Sequence, residues 1–339
     1  MQIYVIVHSP HAVIIGEVTD RVSFFTMVLK DNQGGRLLKL NNEFTHMPDP
    51  DSVLLYSYFK GHGDGLHLAW SRDGFRWKTL NDDQPFIRPE TGPEKLMRDP
   101  FIRLAEDGTF HLVWTAGWHG RGIGYAFSKD LRSWSTQQWL GVMEHEPHAR
   151  NCWAPEIFFD ETRQEFIIYW ASTIPGKFPE TDLCGDEGLN HRMYCVTTRD
   201  FKTFSETRLF FDGGFNVIDA TLVRDGNRYL LFMKDETLIP CEKNIRLSVG
   251  DGIFGTFKNI SPPITGSYWA EGPSAIKIGG SWIVYFDKYK ENRIGAVSSS
   301  DLKHWQDISE KVHFPPGAQH GSVSRIGLKR IEHLLMNYA

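Results

Sequence analysis

The sequence predicts an all-β protein, a five-bladed β-propeller with four-stranded blades, and a recurring motif is the first observation behind this prediction. In the motif a short strand ends in Ser-x-Asp or a close variant, and an aromatic residue closes the turn. It recurs at 66–77, 123–134, 193–204, 245–257 and 294–305. The closing aromatics lie 57, 70, 53 and 48 residues apart, which is close to the length of one propeller blade.

Two further sets of apolar runs accompany the motif. A long run precedes each motif and predicts the second strand of a blade, at 54–61, 110–117, 166–173, 229–236 and 282–289. Hairpin turns rich in Gly and Asp lie ahead of most of these runs. Before the turns lie shorter runs that predict the innermost strands, at 98–102, 154–158, 218–222, 271–276 and 320–326.

The two ends of this pattern predict how the ring closes. The inner run at 320–326 has no blade after it, and the first blade, at 54–80, has no inner run before it. Because closure removes exposed strand edges, we predict that 320–326 forms the innermost strand of the first blade. We therefore divide the chain into an N-terminal appendage of uncertain structure, 1–50, and a propeller catalytic domain, 51–339.

Composition narrows the classes of partner. The chain has 339 residues, 41% of them hydrophobic, which is enough for a large core. A net charge of −5 without long runs of one sign favours a neutral substrate over a nucleic acid or a membrane.

None of the four cysteines has CxxC spacing, so we expect buried free thiols, with a Cys184–Cys195 disulfide as the minor alternative. The N-terminus lacks a basic signal region, so we expect a cytoplasmic protein.

Ionisable residues stand at the start of every predicted inner strand. Since these strands begin at one face of a propeller, their first residues should ring one end of the central channel. They are Asp99, Glu156, Asp219, Glu271 and His320. An unpaired carboxylate such as Asp219, between Ile218 and Ala220, would be costly to bury. Asp99 alone is also typical of a turn before proline. We take the three acids Asp99, Asp219 and Glu271 as repeat-equivalent catalytic candidates, and Glu156 as either a substrate contact or a structural acid.

Five short motifs in this order resemble the signature set of glycoside hydrolase family 43, over roughly residues 50–326. They are RDP at 98–100, WAPE at 153–156, IDAT at 218–221, AEGP at 270–273 and HGS at 320–322. The resemblance implies a five-bladed propeller and inverting hydrolysis of arabinofuranosides, xylosides or, in some branches, galactosides. It also implies that Asp99 is the general base, Asp219 the acid that tunes and positions the proton donor, and Glu271 the general acid. The chain departs from the family in having a whole blade before the base.

Inverting hydrolysis requires such a set of acids. One carboxyl must be protonated beside the leaving oxygen, and an ionised one must lie opposite, roughly 6.5–9.5 Å away, so that a water fits between them. A third carboxylate favours the protonated donor through like-charge repulsion. The mechanism requires no cofactor. Relatives often hold a water or a calcium ion on the channel axis, so His320 is a candidate ligand for a structural calcium.

Topology also predicts substrate contacts, because residues at the end of each second strand should overhang the pocket, among them Trp118, His119, Lys234 and Asp287. The other predicted contacts, Trp153, Glu156 and His320, lie at the start of inner strands. Trp118 and Trp153 are candidate platforms for a sugar ring, although Trp153 could instead pack between blades. The insertion at 174–192 is predicted to be a loop that forms one wall of the pocket. Such a wall favours an exo-acting enzyme, which cleaves at the end of a chain.

The predicted function is that of an inverting, exo-acting glycosidase that removes arabinofuranosyl or xylosyl residues from plant-type oligosaccharides. An exo-galactosidase or galactofuranosidase of the same fold remains open. A retaining fructosidase would need an Asn-Asp-Pro-Asn motif upstream, and only HMPDPD at 46–51 lies near. The non-enzyme alternative is a sugar-binding or protein-docking propeller, against which the three acids argue. The oligomeric state stays open.

Overall fold

The computed structural model describes residues 51–336 and the backbone of three strands near the N-terminus. Strands β1 (Ile3–Ser9), β2 (Ala12–Thr19) and β3 (Val22–Leu29) form an antiparallel sheet of their own. This sheet contributes no strand to any blade. The first propeller strand begins at Ser52.

Five sheets form the propeller, and each runs from an inner to an outer strand. The first blade contains β4 (Ser52–Phe59), β5 (His67–Ser71) and β6 (Lys78–Thr79), and the second contains β7 (Arg98–Leu104), β8 (Phe110–Thr115), β9 (Ile123–Ser128) and β10 (Gln138–Leu140). The third contains β11 (Trp153–Asp160), β12 (Glu165–Thr173), β13 (His191–Thr198) and β14 (Arg208–Phe211).

The last two blades and the closing strand complete the ring. The fourth blade contains β15 (Val217–Asp225), β16 (Arg228–Asp235) and β17 (Asn244–Gly250), and the fifth contains β18 (Glu271–Ile278), β19 (Ser281–Lys288), β20 (Arg293–Ser299) and β21 (Gln306–Asp307). Strand β22 (Gln319–Gly327) is the innermost strand of the first blade. Helical structure in the described residues is limited to 3-10 turns at Asn81–Asp83, Pro179–Thr181, Ser309–Lys311 and Leu328–Arg330, and helix α1 (Glu332–Leu335).

The predicted ring closure is confirmed. Strand β22 pairs antiparallel with β4, and Val323 lies opposite Tyr56. The fold therefore joins the C-terminal strand to the N-terminal blade, as the unmatched runs at the two ends of the pattern predict. The fourth blade has three strands, whereas each of the others has four. In place of an outer strand it has a single β-bridge between Ser248 and Ile260.

The core lies between neighbouring blades. The second strands are buried on both faces, so their sequences are continuous apolar runs without alternation. Trp114, Trp170 and Tyr285 are among the largest fully buried side chains. Packing between blades thus fixes the ring, and the inner strands carry their side chains toward the channel.

The repeated Ser-x-Asp motif closes the turn after the third strand. Asp73 Oδ1 accepts hydrogen bonds from the backbone N–H of Phe75 at 2.8 Å and of Arg76 at 2.9 Å. The indole of Trp77 then donates to the carbonyl of Gly74 at 3.2 Å. Asp130 and Trp134 repeat these contacts in the second blade. The motif is therefore structural, which explains why it recurs without reaching the channel.

All four cysteines are free thiols, so the alternative Cys184–Cys195 disulfide is not formed. Cys152 and Cys195 are buried as expected, but Cys184 is only partly buried and Cys241 is exposed. Within residues 51–336 and the three N-terminal strands, no helix has the length and apolar character to span a membrane.

Candidate active site

All five innermost strands carry a β-bulge at the same register position. The pairing with the second strand breaks between Arg98 and Phe101, Trp153 and Glu156, Ile218 and Thr221, Glu271 and Ser274, and Gln319 and Ser322. A bulge bends its strand and redirects a side chain, and bulges are common beside active sites. Here they place one residue of each inner strand at the mouth of the channel.

The residues that open these bulges are Asp99, Ala154, Asp219, Gly272 and His320. Asp99 and Asp219 have φ values of 51° and 50°, in the left-handed region that costs energy for residues other than glycine. The register also corrects the sequence analysis, which treated the three acids as equivalent. Asp99 and Asp219 are equivalent, whereas Glu271 stands one position earlier, at the level of Arg98 and Ile218.

A cavity of about 550 Å³ opens at this end of the channel, a size typical of small-molecule sites. The three candidate acids Asp99, Asp219 and Glu271 all line it. Five of the other predicted contacts do so as well, namely Trp118, His119, Trp153, Lys234 and His320. The predicted contacts Glu156 and Asp287 are not among its lining residues.

Asp99 lies against a protonated histidine. His320 Nδ1 is 3.1 Å from Asp99 Oδ1, and the Thr115 hydroxyl donates to Asp99 Oδ2 at 2.7 Å. Burial acts to raise the pKa of Asp99, but the His320 imidazolium, the Arg98 charge and the Thr115 hydroxyl together hold this pKa below its ordinary value. Asp99 is therefore ionised at neutral pH, as a general base requires.

His320 joins two of the acids. Its Nδ1 is also 3.8 Å from Asp219 Oδ2. Burial alone would lower the pKa of His320, yet the carboxylates of Asp99 and Asp219 raise it to about 10. The ring is thus an imidazolium whose Nδ1 faces both carboxylates.

Asp219 connects the base side of the cavity to Glu271. Its Oδ2 accepts a hydrogen bond from the backbone N–H of Gly272 at 3.0 Å. Burial, with the nearby Glu271 carboxylate, raises the pKa of Asp219 to about 6, against the opposing effect of His320. Gly272 has a φ of 60°, and a Cβ there would lie 2.3 Å from His320 Cδ2. Only glycine therefore fits against the His320 ring.

Glu271 forms an ion pair with a buried lysine. Lys234 Nζ lies 2.8 Å from Glu271 Oε2 and 2.6 Å from Glu236 Oε2. Burial would lower the pKa of Lys234, but these carboxylates hold it well above its ordinary value. Lys234 is a predicted substrate contact, but its ammonium pairs with two acids of the cavity wall. Glu236 also pairs with Lys243.

Glu156 and Asp287 lie behind the cavity. The Tyr169 hydroxyl donates to Glu156 Oε2 at 2.7 Å, and burial raises the pKa of Glu156 to about 8. Asp287 Oδ2 accepts the backbone N–H of His320 at 3.1 Å. Burial first, and then the charge of Glu271, raises the pKa of Asp287 to about 7. In these positions Glu156 supports the third blade and Asp287 fixes the backbone of His320.

The two tryptophans named as platforms contact each other. Their ring centroids are 5.8 Å apart at an interplanar angle of 84°, and Trp153 Nε1 donates to the carbonyl of Trp118 at 3.0 Å. The Arg98 guanidinium carbon lies 4.6 Å from the Trp118 ring centroid. Trp118 keeps 42% of its surface exposed, so one apolar surface remains open to a ligand.

The insertion between β12 and β13 borders the cavity through Asp186, Glu187 and Leu189. A buried arginine at the start of β13 anchors it. Arg192 donates to Thr181 Oγ1 at 2.9 Å, and its guanidinium carbon lies 4.3 Å from the Phe178 ring centroid. Its Nε pairs with Asp212 at 2.5 Å. The predicted wall is therefore tied to the third blade.

Several lining residues were not predicted. Arg98 is the first residue of the RDP motif, and its position beside Asp99 is the signal that could have placed it in the cavity. Glu236, which ends the apolar run at 229–236, and His191, which belongs to no motif, also line the cavity. His191 is buried between Asn151 and Asn216, and burial lowers its pKa to about 4, so it is neutral. No group of three His, Cys, Asp or Glu side chains within residues 51–336 has the arrangement of a metal site.

Comparison with known proteins identifies the family of this propeller. A family model described as a probable glycosyl hydrolase domain, related to family 43, matches residues 49–332. The chain belongs to glycoside hydrolase family 43. The match begins just before the first blade and ends after the closing strand, so the family 43 domain coincides with the whole propeller.

This family 43 chain is 26% identical to an alpha-L-arabinofuranosidase of Bifidobacterium longum subsp. longum over 216 residues. The alignment covers 55% of the chain and 20% of that protein, so the chain spans a small part of the curated relative's length. Two solved structures share the fold. One, a thermostable family-43 glycoside hydrolase, has a TM-score of 0.51 and 17% identity, over 66% of this chain and 78% of the other. The other, alpha-L-arabinofuranosidase from Lactobacillus brevis, has a TM-score of 0.50 and 16% identity, over 68% and 74%.

Proposed function

We propose that this protein is an inverting, exo-acting glycosidase that releases arabinofuranosyl or xylosyl residues from plant-type oligosaccharides. The observation that carries the proposal is the chain of contacts from Asp99 through His320 and Asp219 to Gly272, beside Glu271. It gathers an ionised carboxylate, a modulating acid and a third carboxyl around one cavity.

Asp99 acts as the general base. A water between Asp99 and the anomeric carbon gives a proton to the carboxylate as its oxygen bonds to that carbon. The His320 imidazolium and the Thr115 hydroxyl hold the carboxylate in place. Asp99 thereby serves every substrate in the same way, whatever its leaving group.

Glu271 acts as the general acid and gives its proton to the leaving oxygen as the glycosidic bond breaks. The proton must be on Glu271 beforehand, and the charge of the nearby Asp219 favours that state. Once the proton has left, Lys234 stabilises the carboxylate that remains. Lys234 and Asp219 therefore act on Glu271 in opposite directions.

The shape of the cavity supports exo action. The loop that carries Asp186, Glu187 and Leu189 forms one of its walls, and buried Arg192 anchors that loop. A wall of this kind favours the end of a chain over its middle. The similarity to the Bifidobacterium arabinofuranosidase supports an arabinofuranosyl group at the cleaved position.

We propose that His320 is not a calcium ligand, because its Nδ1 lies 3.1 Å from Asp99 Oδ1 and calcium prefers oxygen ligands. We propose instead that its positive charge holds Asp99 and Asp219 together, and that hydrolysis needs no cofactor.

The test is hydrolysis of a panel of nitrophenyl glycosides: α-L-arabinofuranoside, β-D-xyloside, β-D-galactoside, β-D-galactofuranoside and β-D-fructofuranoside. We expect turnover of the arabinofuranoside or the xyloside, and loss of that turnover in Asp99→Asn. Preference for a galactoside or a fructoside would contradict the proposed substrate. Sugar binding without any turnover would contradict catalysis and favour a non-catalytic propeller.

A further inference from the structure

A second pair of aromatic residues lies on the Glu271 side of the site. Glu271 pairs with Asp287 across the inner hairpin of the fifth blade. Trp269, two residues before Glu271, and Tyr289, two residues after Asp287, extend this pairing beyond the sheet. Their ring centroids are 5.8 Å apart at an interplanar angle of 50°, and both side chains are partly exposed.

This aromatic pair adjoins the group that holds Glu271. Lys234 Nζ, 2.8 Å from Glu271 Oε2, is 4.7 Å from the Tyr289 ring centroid. Lys243, which pairs with Glu236 of the cavity wall, has its Nζ 5.6 Å from the Trp269 centroid. The two rings do not line the 550 Å³ cavity, but Tyr289 lies directly beside Lys234, which lines it together with Glu271.

An exposed lysine covers the same two rings. Lys290 Nζ is 4.7 Å from the Trp269 centroid and 5.6 Å from the Tyr289 centroid. Within residues 51–336 Lys290 forms no ion pair, so nothing except these rings holds its ammonium. A ligand that stacks on the rings can displace this flexible side chain and take a hydrogen bond from it.

We infer that Trp269 and Tyr289 form the subsite for the leaving-group sugar. The inference rests on the proposed function, in which Glu271 protonates the oxygen of that sugar. Lys234 occupies Oε2 of Glu271, which leaves Oε1 for the leaving oxygen. The sugar beyond that oxygen then lies toward the fifth blade, where its apolar C–H face can stack on the two rings and Lys290 can donate to a hydroxyl.

Trp118 and Trp153 occupy the other side of the cavity. Trp118 stacks against Arg98, the residue before Asp99. The two aromatic pairs are thus separated along the expected axis of the reaction, from base to acid. A neutral sugar ring of an oligosaccharide backbone is the ligand that the fifth-blade pair would take.

The test compares two substrates in Trp269→Ala, Trp269→Phe and Tyr289→Ala. One is an oligosaccharide, and the other is the glycosyl fluoride of the same terminal sugar, which has no leaving-group sugar. Stacking energies of aromatic rings predict a loss of about tenfold in kcat/KM on the oligosaccharide for the alanine variants and a smaller loss for Trp269→Phe. Fluoride hydrolysis should be unchanged. Trp139→Ala, a partly exposed tryptophan on the outer strand of the second blade, is the matched control.

The outcomes separate the subsite from the proposed function. Equal losses on both substrates, or no loss on the oligosaccharide, would overturn the subsite while the wild-type protein still hydrolyses them. If the wild-type protein hydrolyses neither substrate, the proposed function fails, and the subsite fails with it.

Discussion

The two sides of the cavity hold their carboxylates in different ways. Asp99 lies in a bulge with only 10% of its side chain exposed, and its partners are the His320 imidazolium and a neutral hydroxyl. Glu271 stands one position before its bulge, and its cationic partner Lys234 is shared with Glu236. Asp99 is therefore locked in its ionised form, whereas Glu271 lies between a cation and the opposing charge of Asp219. A fixed base and an adjustable donor are what inverting hydrolysis requires.

The largest effect is expected at the fixed base. Asp99→Asn keeps the shape of the side chain but removes the proton acceptor, so kcat/KM should fall by about 10²–10⁴-fold. The loss should be the same for nitrophenyl and dinitrophenyl glycosides, because water activation does not depend on the leaving group. A loss that varies with the leaving group would reverse the assignment of the two sides.

At the donor the loss should depend on the substrate. Glu271→Gln cannot give a proton, so hydrolysis of a poor leaving group should again fall by about 10²–10⁴-fold. A dinitrophenyl leaving group needs little protonation, and its hydrolysis should fall much less. Initial rates with both substrates measure this difference. Equal losses of activity on every substrate in this variant and in Asp99→Asn would contradict the assignment of Glu271 as the acid and Asp99 as the base.

A smaller effect is expected when the cation of the base side is removed. Without the imidazolium in His320→Gln, the pKa of Asp99 rises, so the acidic limb of the kcat/KM profile should move to higher pH. For each pH unit by which this limb moves, kcat/KM at a pH below the pKa of Asp99 falls about tenfold. Thr115→Val removes only a neutral hydroxyl, and its shift should have the same sign and be smaller. An acidic limb that stays fixed in His320→Gln would show that another group keeps Asp99 ionised.

The smallest effect is expected from the two neighbours of the donor. Asp219→Asn removes a negative charge, so the basic limb should move to lower pH. Lys234→Met removes a positive charge, so the same limb should move to higher pH. The acidic limb should change little in Lys234→Met. Shifts in the same direction, or no shift in Asp219→Asn, would show that Asp219 is a structural carboxylate.

The sequence was enough to predict the ring and the acids that share the cavity. Unmatched runs at 54–61 and 320–326 predict the closure because an open sheet edge is unfavourable. The bulges were not predictable in this way. The left-handed conformation of Asp99 and Asp219 depends on register with a strand that follows many residues later. For that reason the sequence could not distinguish the level of Glu271 from that of the two aspartates.

The partners of the acids were also hidden in the sequence. Lys234 lies near the end of an apolar run, which predicts a residue at the pocket mouth. Its ammonium instead lies between the carboxylates of Glu236 and Glu271, which belong to different blades. Trp269 belongs to no repeat, Tyr289 is only the last residue of the apolar run at 282–289, and the pairing of Glu271 with Asp287 brings the two together. In contrast, Glu156 fits the strand pattern yet bonds to Tyr169 behind the cavity.

The stereochemistry of the product tests the central claim most directly. If Asp99 activates a water while Glu271 protonates the leaving oxygen, one displacement occurs and the first-formed sugar has the opposite anomeric configuration. Proton NMR in the first minutes of hydrolysis, before mutarotation, reads that configuration. The arrangement of Asp99, Asp219 and Glu271 predicts inversion. Net retention would contradict it, because it would require a carboxylate to attack the sugar itself.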